Sequence, residues 1–181
     1  MADHRRYEGA FESLLRRSEL PYVRVNQFRR PIVDGLTVKN FDFLVRAAGG
    51  EHYIVDVKGK LFPYAYGRKR VYWENWLATD DLEGLARWER YFEDRFPAVL
   101  AYVYEIRTAW DEAEFDTVVR TRGGAYGIVA VTLADYIRHA RPRSPLWRAL
   151  NIPKATFKEI ARDARTLFAG GEPASELREV G

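Results

Sequence analysis

The stretch Phe-Asp-Phe-Leu-Val (residues 41–45), followed by Tyr-Ile-Val-Asp-Val-Lys (residues 53–58), decides how this sequence folds. Both runs are rich in aromatic and β-branched residues, and Ala-Ala-Gly-Gly-Glu lies between them, so they predict a hairpin of strands over residues 38–46 and 52–58. Asp42 interrupts the first run and Asp56 interrupts the second. An unpaired carboxylate in an apolar strand is costly, so we expect both acids to have a partner.

Side chains alternate across a strand, which places Asp56 and Lys58 on one face of the predicted sheet and Val57 on the other. In a hairpin, the face of Asp42 can coincide with that of Asp56. Two carboxylates beside one amine form the group that metal-dependent cleavage of a phosphodiester requires: the acids hold a divalent cation, and the amine lies beside the attacked phosphate.

The cation that this pattern predicts is Mg²⁺ or Mn²⁺, because hard cations prefer oxygen ligands. Asp42 and Asp56 would bind it, and the backbone carbonyl of Val57 could add a ligand. Lys58 would hold the attacking water or an oxygen of the scissile phosphate. Two alternatives stay open from the residues alone: Asp56 and Lys58 form an ordinary surface pair, or Asp42 and Asp56 are purely structural.

Flanking patterns predict an α/β fold with a mixed sheet covered by helices. We expect one domain over residues 1–168 and a flexible tail over 169–181. Residues 60–73 are expected to be a loop, and Asp80 is expected to cap the second helix. The predicted helices are 4–18, 81–95, 132–137 and 153–168, and the further strands are 22–25, 97–103 and 126–131.

This order of elements resembles the PD-(D/E)xK nuclease superfamily, which includes restriction endonucleases and archaeal Holliday-junction resolvases. Its αβββαβ core corresponds to residues 4–105. The resemblance implies that Asp42 is the first carboxylate of the motif, that Asp56 and Lys58 are its D/E-x-K pair, and that a helix glutamate completes the site. Phe41 stands where the motif has proline. The implied activity is a Mg²⁺-dependent endo- or exodeoxyribonuclease, with a restriction-endonuclease-like fold.

The N-terminal helix offers two candidates for that glutamate, Glu8 and Glu12. Residues 6–12, Arg-Tyr-Glu-Gly-Ala-Phe-Glu, resemble the signature of a small bacterial family named for the motif HYExAFE, with Arg6 in place of its histidine. Glu8 lies nearer the apolar stripe of the helix, so it is the preferred metal-side residue. Glu12 can instead pair with Arg16 one turn later.

Basic and aromatic residues downstream of the Asp-x-Lys element are candidate contacts with nucleic acid. Cationic side chains can bind phosphates, and aromatic rings can stack on nucleobases. The alternative is a solvated loop whose rings pack on the core. Trp76 is expected to be a core residue. The nucleic-acid candidates are Lys60, Arg68, Lys69, Arg70 and Trp73, with Arg29 and Arg30 as weaker ones.

Composition bounds the remaining possibilities. The chain has 181 residues and no Cys, so disulfides and thiolate metal sites are excluded. Three isolated His residues give no zinc-ligand spacing.

The N-terminus does not resemble a secretory signal and no apolar run is long enough to span a bilayer, so a cytoplasmic protein without membrane contact is expected. Residues 1–70 carry 14 Lys/Arg against 8 Asp/Glu, which favours a polyanionic partner such as DNA.

The sequence therefore predicts a metal-dependent nuclease that acts on DNA, and one that is selective for DNA structure if the resemblance extends that far. Many small nucleases of the group act as dimers, so a homodimer is compatible with the resemblance. Two other functions stay open: a non-catalytic nucleic-acid-binding module on the same fold, and a protein-interaction domain.

Overall fold

The computed structural model describes residues 2–26, 31–33, 35–144 and 147–170. Its α-helices are α1 (Ala2–Arg17), α2 (Thr79–Tyr91), α3 (Leu133–His139), α4 (Lys154–Ile160) and α5 (Ala164–Ala169), with a short 3-10 helix at Ala109–Glu114. Its strands are β1 (Tyr22–Arg24), β2 (Ile32–Val33), β3 (Leu36–Thr37), β4 (Phe43–Arg46), β5 (His52–Phe62), β6 (Tyr64–Tyr66), β7 (Lys69–Val71), β8 (Leu77–Ala78), β9 (Ala98–Ile106), β10 (Val118–Thr121), β11 (Gly124–Thr132), β12 (Arg141–Ser144), β13 (Trp147–Asn151) and β14 (Arg162–Asp163).

The main sheet is mixed and runs in the order β1-β4-β5-β9-β11-β10, with β14 also paired to β11. The predicted hairpin is its centre: β4 and β5 are antiparallel, and Phe43 is the register partner of Val55. Strand β5 is also parallel to β9, and α2 provides the crossover between them. The αβββαβ order expected for residues 4–105 is therefore present.

Alternation along β5 and β9 divides the core into two layers. On one face, Val55, Val57 and Val99 belong to a cluster with the apolar side of α1 and with α5. On the other face, Ile54 and Leu100 pack with α2, α3 and α4. Helices thus cover both faces of the sheet, as predicted, and Asp56 and Lys58 project toward the α2 side because they alternate with the valines.

A glycine in β5 allows α1 to approach the sheet. A Cβ atom built on Gly59 would lie 2.1 Å from the Tyr7 ring, closer than atoms can approach. Glycine at this position therefore lets Tyr7 lie flat against the strand that carries Asp56 and Lys58. The same helix carries Glu8, so this contact also sets the position of that carboxylate beside the sheet.

Several predicted elements were wrong in detail. Residues 60–73 are mostly strand, because β5 continues to Phe62 and β6 and β7 form a hairpin. The helix predicted over 153–168 is two helices, since Arg162 and Asp163 pair with β11 and Asp163 caps α5. Asp80 does not cap α2: strand β8 runs directly into the helix, which leaves Ala78 at the cap position without a side-chain bond.

Some predictions fall outside the described part of the chain. Arg29 and Arg30 lie there, as do residues 171–181 of the predicted tail. Within the residues that are described, no helix is both long and apolar enough to cross a membrane.

Candidate active site

Asp42 is held at the start of β4 by its own backbone. Its N–H donates to Val55 across the hairpin, and its carbonyl accepts from Val25, each at 2.9 Å. Its carboxylate Oδ2 accepts the backbone N–H of Val57 at 2.6 Å. Extending the register of the hairpin by one pair places Asp42 opposite Asp56. The two predicted carboxylates are thus brought together, and both are buried, with 6% and 8% of their surfaces exposed.

The pKa of the Asp42 carboxyl is raised well above its usual value. Burial is the largest cause, followed by the negative charge of Asp56, and Glu8 acts in the same direction. The N–H of Val57 and the charge of Lys58 oppose the rise without cancelling it. A carboxylate so placed gains from any cation that approaches it. This makes the Asp42–Asp56 edge a point at which a positive charge would be stabilised.

The Lys58 ammonium lies between two carboxylates. Its Nζ is 2.6 Å from Oδ2 of Asp56 and 2.6 Å from Oδ2 of Asp81. Burial disfavours the charged amine, but the two carboxylates outweigh burial and raise the pKa of Lys58. The side chain is therefore a fixed cation at neutral pH, and it is oriented from both sides.

Asp81 is a member of the site that the sequence analysis missed. It lies in the first turn of α2 and also pairs with Lys39. Its pKa is lowered: burial would raise it, but Lys58 and Lys39 together outweigh burial. The signal in the sequence was the pair of aspartates at the start of α2, of which only Asp80 was interpreted, as a helix cap. Asp81 also borders a groove of about 480 Å³ between residues 36–39 and the start of α2.

Glu8 and Glu12 share Arg24, which lies on β1 and contacts both carboxylates. Glu12 has two further partners, the Tyr22 hydroxyl at 2.7 Å and the Arg16 guanidinium at 3.2 Å, so the predicted pairing one turn along the helix is present. Of the two glutamates, Glu8 is the one whose charge bears on Asp42. Glu8 therefore lies on the side of the predicted metal position.

The oxygen donors beside Asp42 and Asp56 fit a hard divalent cation, although the protein supplies few of them. In an extended strand the N–H and C=O of one residue point to the same side, so the Val57 carbonyl faces the same edge as its bond to Asp42. Two buried carboxylates, one of them with a raised pKa, together with that carbonyl are oxygen ligands of the kind Mg²⁺ prefers. In the described ranges, no three acidic or His side chains converge closely enough to form a complete protein cage. Water and substrate oxygens would have to complete the shell.

Lys60 is on the same face of β5, two positions beyond Lys58. It is buried, with 8% of its surface exposed, and its Nζ lies 3.6 Å from the centre of the Trp76 ring. Burial lowers its pKa to about 7, with Lys58 and Arg143 contributing to the fall and Glu74 opposing it. The Lys60 ammonium therefore lies beside Trp76 and not in open solvent, and its contact with nucleic acid stays a prediction.

The basic loop expected from the sequence is a hairpin that carries exposed Arg68 in its turn and exposed Lys69 and Arg70 on β7. Trp73, predicted to contact nucleic acid, is instead 6% exposed. Its ring packs edge-on against Phe62, with centroids 5.1 Å apart. Trp73 lies after the second strand of this hairpin, so its ring packs into the core while residues 67–70 of the hairpin are exposed to solvent.

Comparison with known proteins supports the fold. No family model matches the sequence, and no curated protein matches it. The structure of Hjc, a Holliday junction resolvase from Archaeoglobus fulgidus, is similar with a TM-score of 0.51. The match covers 90% of this chain and 92% of that one, at 12% sequence identity. The chain thus has a restriction-endonuclease-like fold with a central mixed sheet flanked by helices, as the order of its elements predicted.

Proposed function

We propose that this protein is a metal-dependent nuclease that hydrolyses phosphodiester bonds in DNA. The observation that supports it most directly is the convergence of buried Asp42 and Asp56 beside the ion-paired Lys58 on this fold. A purely structural role would leave an expensive arrangement unexplained, because two adjacent buried carboxylates repel each other and raise the pKa of Asp42. A bound cation would relieve that repulsion.

In this proposal, Asp42, Asp56 and the Val57 carbonyl hold Mg²⁺ or Mn²⁺, and Glu8 supports it through water. Glu12 is assigned to the Arg24 and Tyr22 contacts that hold Glu8 in place. When bound, the cation lowers the pKa of a coordinated water and stabilises charge on the phosphate. Metal binding requires the ionised form of Asp42. Because the pKa of Asp42 is raised, a larger fraction of this carboxyl ionises as pH rises, so metal affinity would increase with pH.

Lys58 has the role of holding the attacking water or a phosphate oxygen. Its raised pKa keeps it protonated, so it stabilises negative charge that develops on the phosphate and does not act as a base at neutral pH. Asp56 and Asp81 orient its ammonium, and Lys39 binds the outer side of Asp81. Asp81 is therefore a positioning residue for Lys58.

DNA as the substrate, with selectivity for its structure, is the part of the proposal that rests on the similarity to Hjc. The exposed basic side chains of Arg68, Lys69 and Arg70 would bind the sugar-phosphate backbone next to the site.

The test is a cleavage assay with labelled single-stranded, duplex, flapped and four-way-junction DNA, and with RNA, each with Mg²⁺ or Mn²⁺. The matched control is Asp56→Asn, which keeps the shape of the side chain and removes its charge. Cleavage that requires both the metal and Asp56 supports the proposal. Binding without cleavage of any substrate would instead identify a non-catalytic module, and the absence of both would favour a protein-interaction domain.

A further inference from the structure

Trp76, expected to be a core residue, has 37% of its surface exposed. It lies in the segment between β7 and β8, next to buried residues on both sides: Asn75 is 4% exposed and Leu77 is 1% exposed. A large ring that faces solvent between two buried neighbours is held there by the chain around it.

The backbone before the ring is fixed by hydrogen bonds. The Asn75 carbonyl accepts from Tyr102 at 2.8 Å and from Tyr136 at 3.0 Å. The Asn75 side chain bonds Ile152 in both directions, at 2.9 and 2.8 Å. Since every one of these bonds is buried, the position of Trp76 is set in advance and would not have to be ordered when a ligand binds.

Two cations accompany the ring. The Lys60 ammonium lies 3.6 Å from the ring centre and also donates to the Trp76 carbonyl at 3.3 Å. The Arg143 guanidinium carbon is 5.4 Å from the same centre, and Arg143 pairs with Glu74. Lys60 is 8% exposed whereas Trp76 is 37% exposed, so the indole is partly open to solvent although a buried amine lies against it.

The ring lies next to the candidate active site. Lys58 and Lys60 are two positions apart on one face of β5, a separation of about 6.6 Å along the strand. The segment that follows Trp76 runs back along this face, so that Trp76 meets Lys60 and Asp81 meets Lys58. A nucleic-acid strand whose phosphate lies at Lys58 would therefore bring a neighbouring nucleotide to Trp76.

We propose that Trp76, with Lys60 and Arg143, forms a subsite that stacks an unpaired nucleobase next to the scissile phosphate. Aromatic rings flanked by cations bind single strands through stacking and phosphate contact. In a continuous duplex both faces of each base are covered by its neighbours, so the indole can stack only on a base that has been released. The subsite rests on the proposed function and adds its substrate class: nucleic acid with an unpaired nucleotide at the cut.

The experiment measures dissociation constants by fluorescence anisotropy, in EDTA so that no cleavage occurs. The labelled ligands are a single strand, a flapped duplex and a fully paired duplex of equal length. We expect Trp76→Ala to weaken binding of the first two by about 5- to 150-fold. Binding of the paired duplex should change by less than about twofold, and Trp76→Phe should retain most of the affinity because it keeps a stacking ring.

Trp110 supplies the matched control, because its side chain is 91% exposed on the short 3-10 helix. If Trp110→Ala weakens single-strand binding as much as Trp76→Ala does, or if Trp76→Ala weakens duplex binding equally, the subsite is refuted. Arg143→Gln is a second variant that keeps the ring: it should reduce the salt dependence of single-strand binding, and an unchanged dependence would count against the subsite.

The outcomes separate the subsite from the nuclease. Cleavage that needs Mg²⁺ and Asp56, with unaltered binding by Trp76→Ala, would keep the nuclease and overturn the subsite. Trp76-dependent binding of unpaired strands without cleavage would keep base stacking at Trp76 and overturn the nuclease, and with it the assignment of a cut next to the ring. A wild-type protein that binds no nucleic acid would overturn both.

Discussion

The Nζ of Lys58 lies 2.6 Å from Oδ2 of Asp81, a residue that follows it by 23 positions. This contact joins the central strand β5 to the first turn of α2. Because Asp56 pairs with the same ammonium, Lys58 is bound on two sides. The lysine of the Asp-x-Lys element is therefore positioned by a residue outside that element, which leads to two direct tests.

Lys58→Ala should reduce cleavage by roughly 10²–10³-fold, the usual effect of removing one group that stabilises transition-state charge. The variant should also be less stable by about 3 kcal/mol, because Asp56 and Asp81 lose the cation between them. Lys39→Ala is the matched control: Lys39 also pairs with Asp81, but 55% of its side chain is exposed. Its removal should change both properties little. Equal activities of the two variants in single-turnover assays would contradict the role of Lys58.

Asp81→Asn should lower the rate of cleavage about tenfold with little change in substrate affinity, because the residue orients Lys58 and does not touch substrate. Asp81→Glu should recover part of the rate. The pKa of Asp81 is lowered, so its stabilising effect is present above the ordinary carboxyl pKa and is lost as pH falls through the folded value. Urea denaturation should therefore show the variant to be destabilised at pH 7 and less so near pH 3.

The hairpin and its carboxylates were predictable from the sequence, because local alternation and a Gly-Gly turn determine them. The order of elements was enough to predict the fold. By contrast, the role of Asp81 depends on how α2 crosses from β5 to β9, and such a long-range contact leaves no periodicity in the sequence. The inward orientation of Trp73 has the same origin, because its ring packs against Phe115 and Phe157 from distant segments. Its left-handed backbone, with a φ of 59°, is likewise not indicated by the pattern of aromatic and basic residues.

The failure to predict the exposure of Trp76 is also instructive. Its spacing from later aromatic residues suggested one helix face, but β8 separates it from α2, so the periodicity does not apply to it. The hydrogen bonds of Asn75 to the distant Ile152 then fix the segment. Patterns thus determined the layers of the core, whereas the side chains around the site depend on contacts between distant segments.

Asp42→Asn should stabilise the protein without metal while abolishing cleavage. Its pKa is raised by burial and by Asp56, so the ionised form destabilises the fold, and stability falls as pH rises through the folded pKa. An amide oxygen can still accept the N–H of Val57. We expect a gain of about 1 kcal/mol at pH 7, or ~2–4 °C in Tm, and a smaller gain at pH 4.

Thermal unfolding in EDTA and in Mg²⁺ is the measurement for Asp42. The wild type should be stabilised by Mg²⁺, whereas Asp42→Asn should respond much less. A variant that is less stable than the wild type at pH 7 in EDTA would show that Asp42 is a structural carboxylate.

Glu8→Gln and Glu12→Gln should impair different properties of the protein. Glu8 acts on Asp42, so its change should lower metal-dependent cleavage by about 10- to 100-fold at limiting Mg²⁺, with a rise in the Mg²⁺ concentration required. Glu12 binds Tyr22, Arg16 and Arg24, so its change should mainly lower Tm. A Mg²⁺ titration of initial rates for both variants distinguishes them, and a greater requirement for Mg²⁺ in Glu12→Gln would reverse the assignment.

The affinity of the protein for single strands should fall by about tenfold as pH rises from 6 to 8.5, the effect of losing one positive charge beside Trp76, worth about 1.4 kcal/mol. The cause is Lys60, whose pKa is lowered to about 7 by burial, with Lys58 and Arg143 adding to the fall and Glu74 and Asp81 opposing it. Its ammonium is thus lost in this range, while the unfolded chain keeps it to about pH 10.4. Since the unfolded state then binds more protons, stability should rise from pH 7 to 10 as affinity falls. Lys60→Arg keeps its charge, so anisotropy titrations should show nearly constant affinity for this variant. An equal fall in Lys60→Arg would assign the pH dependence to another group.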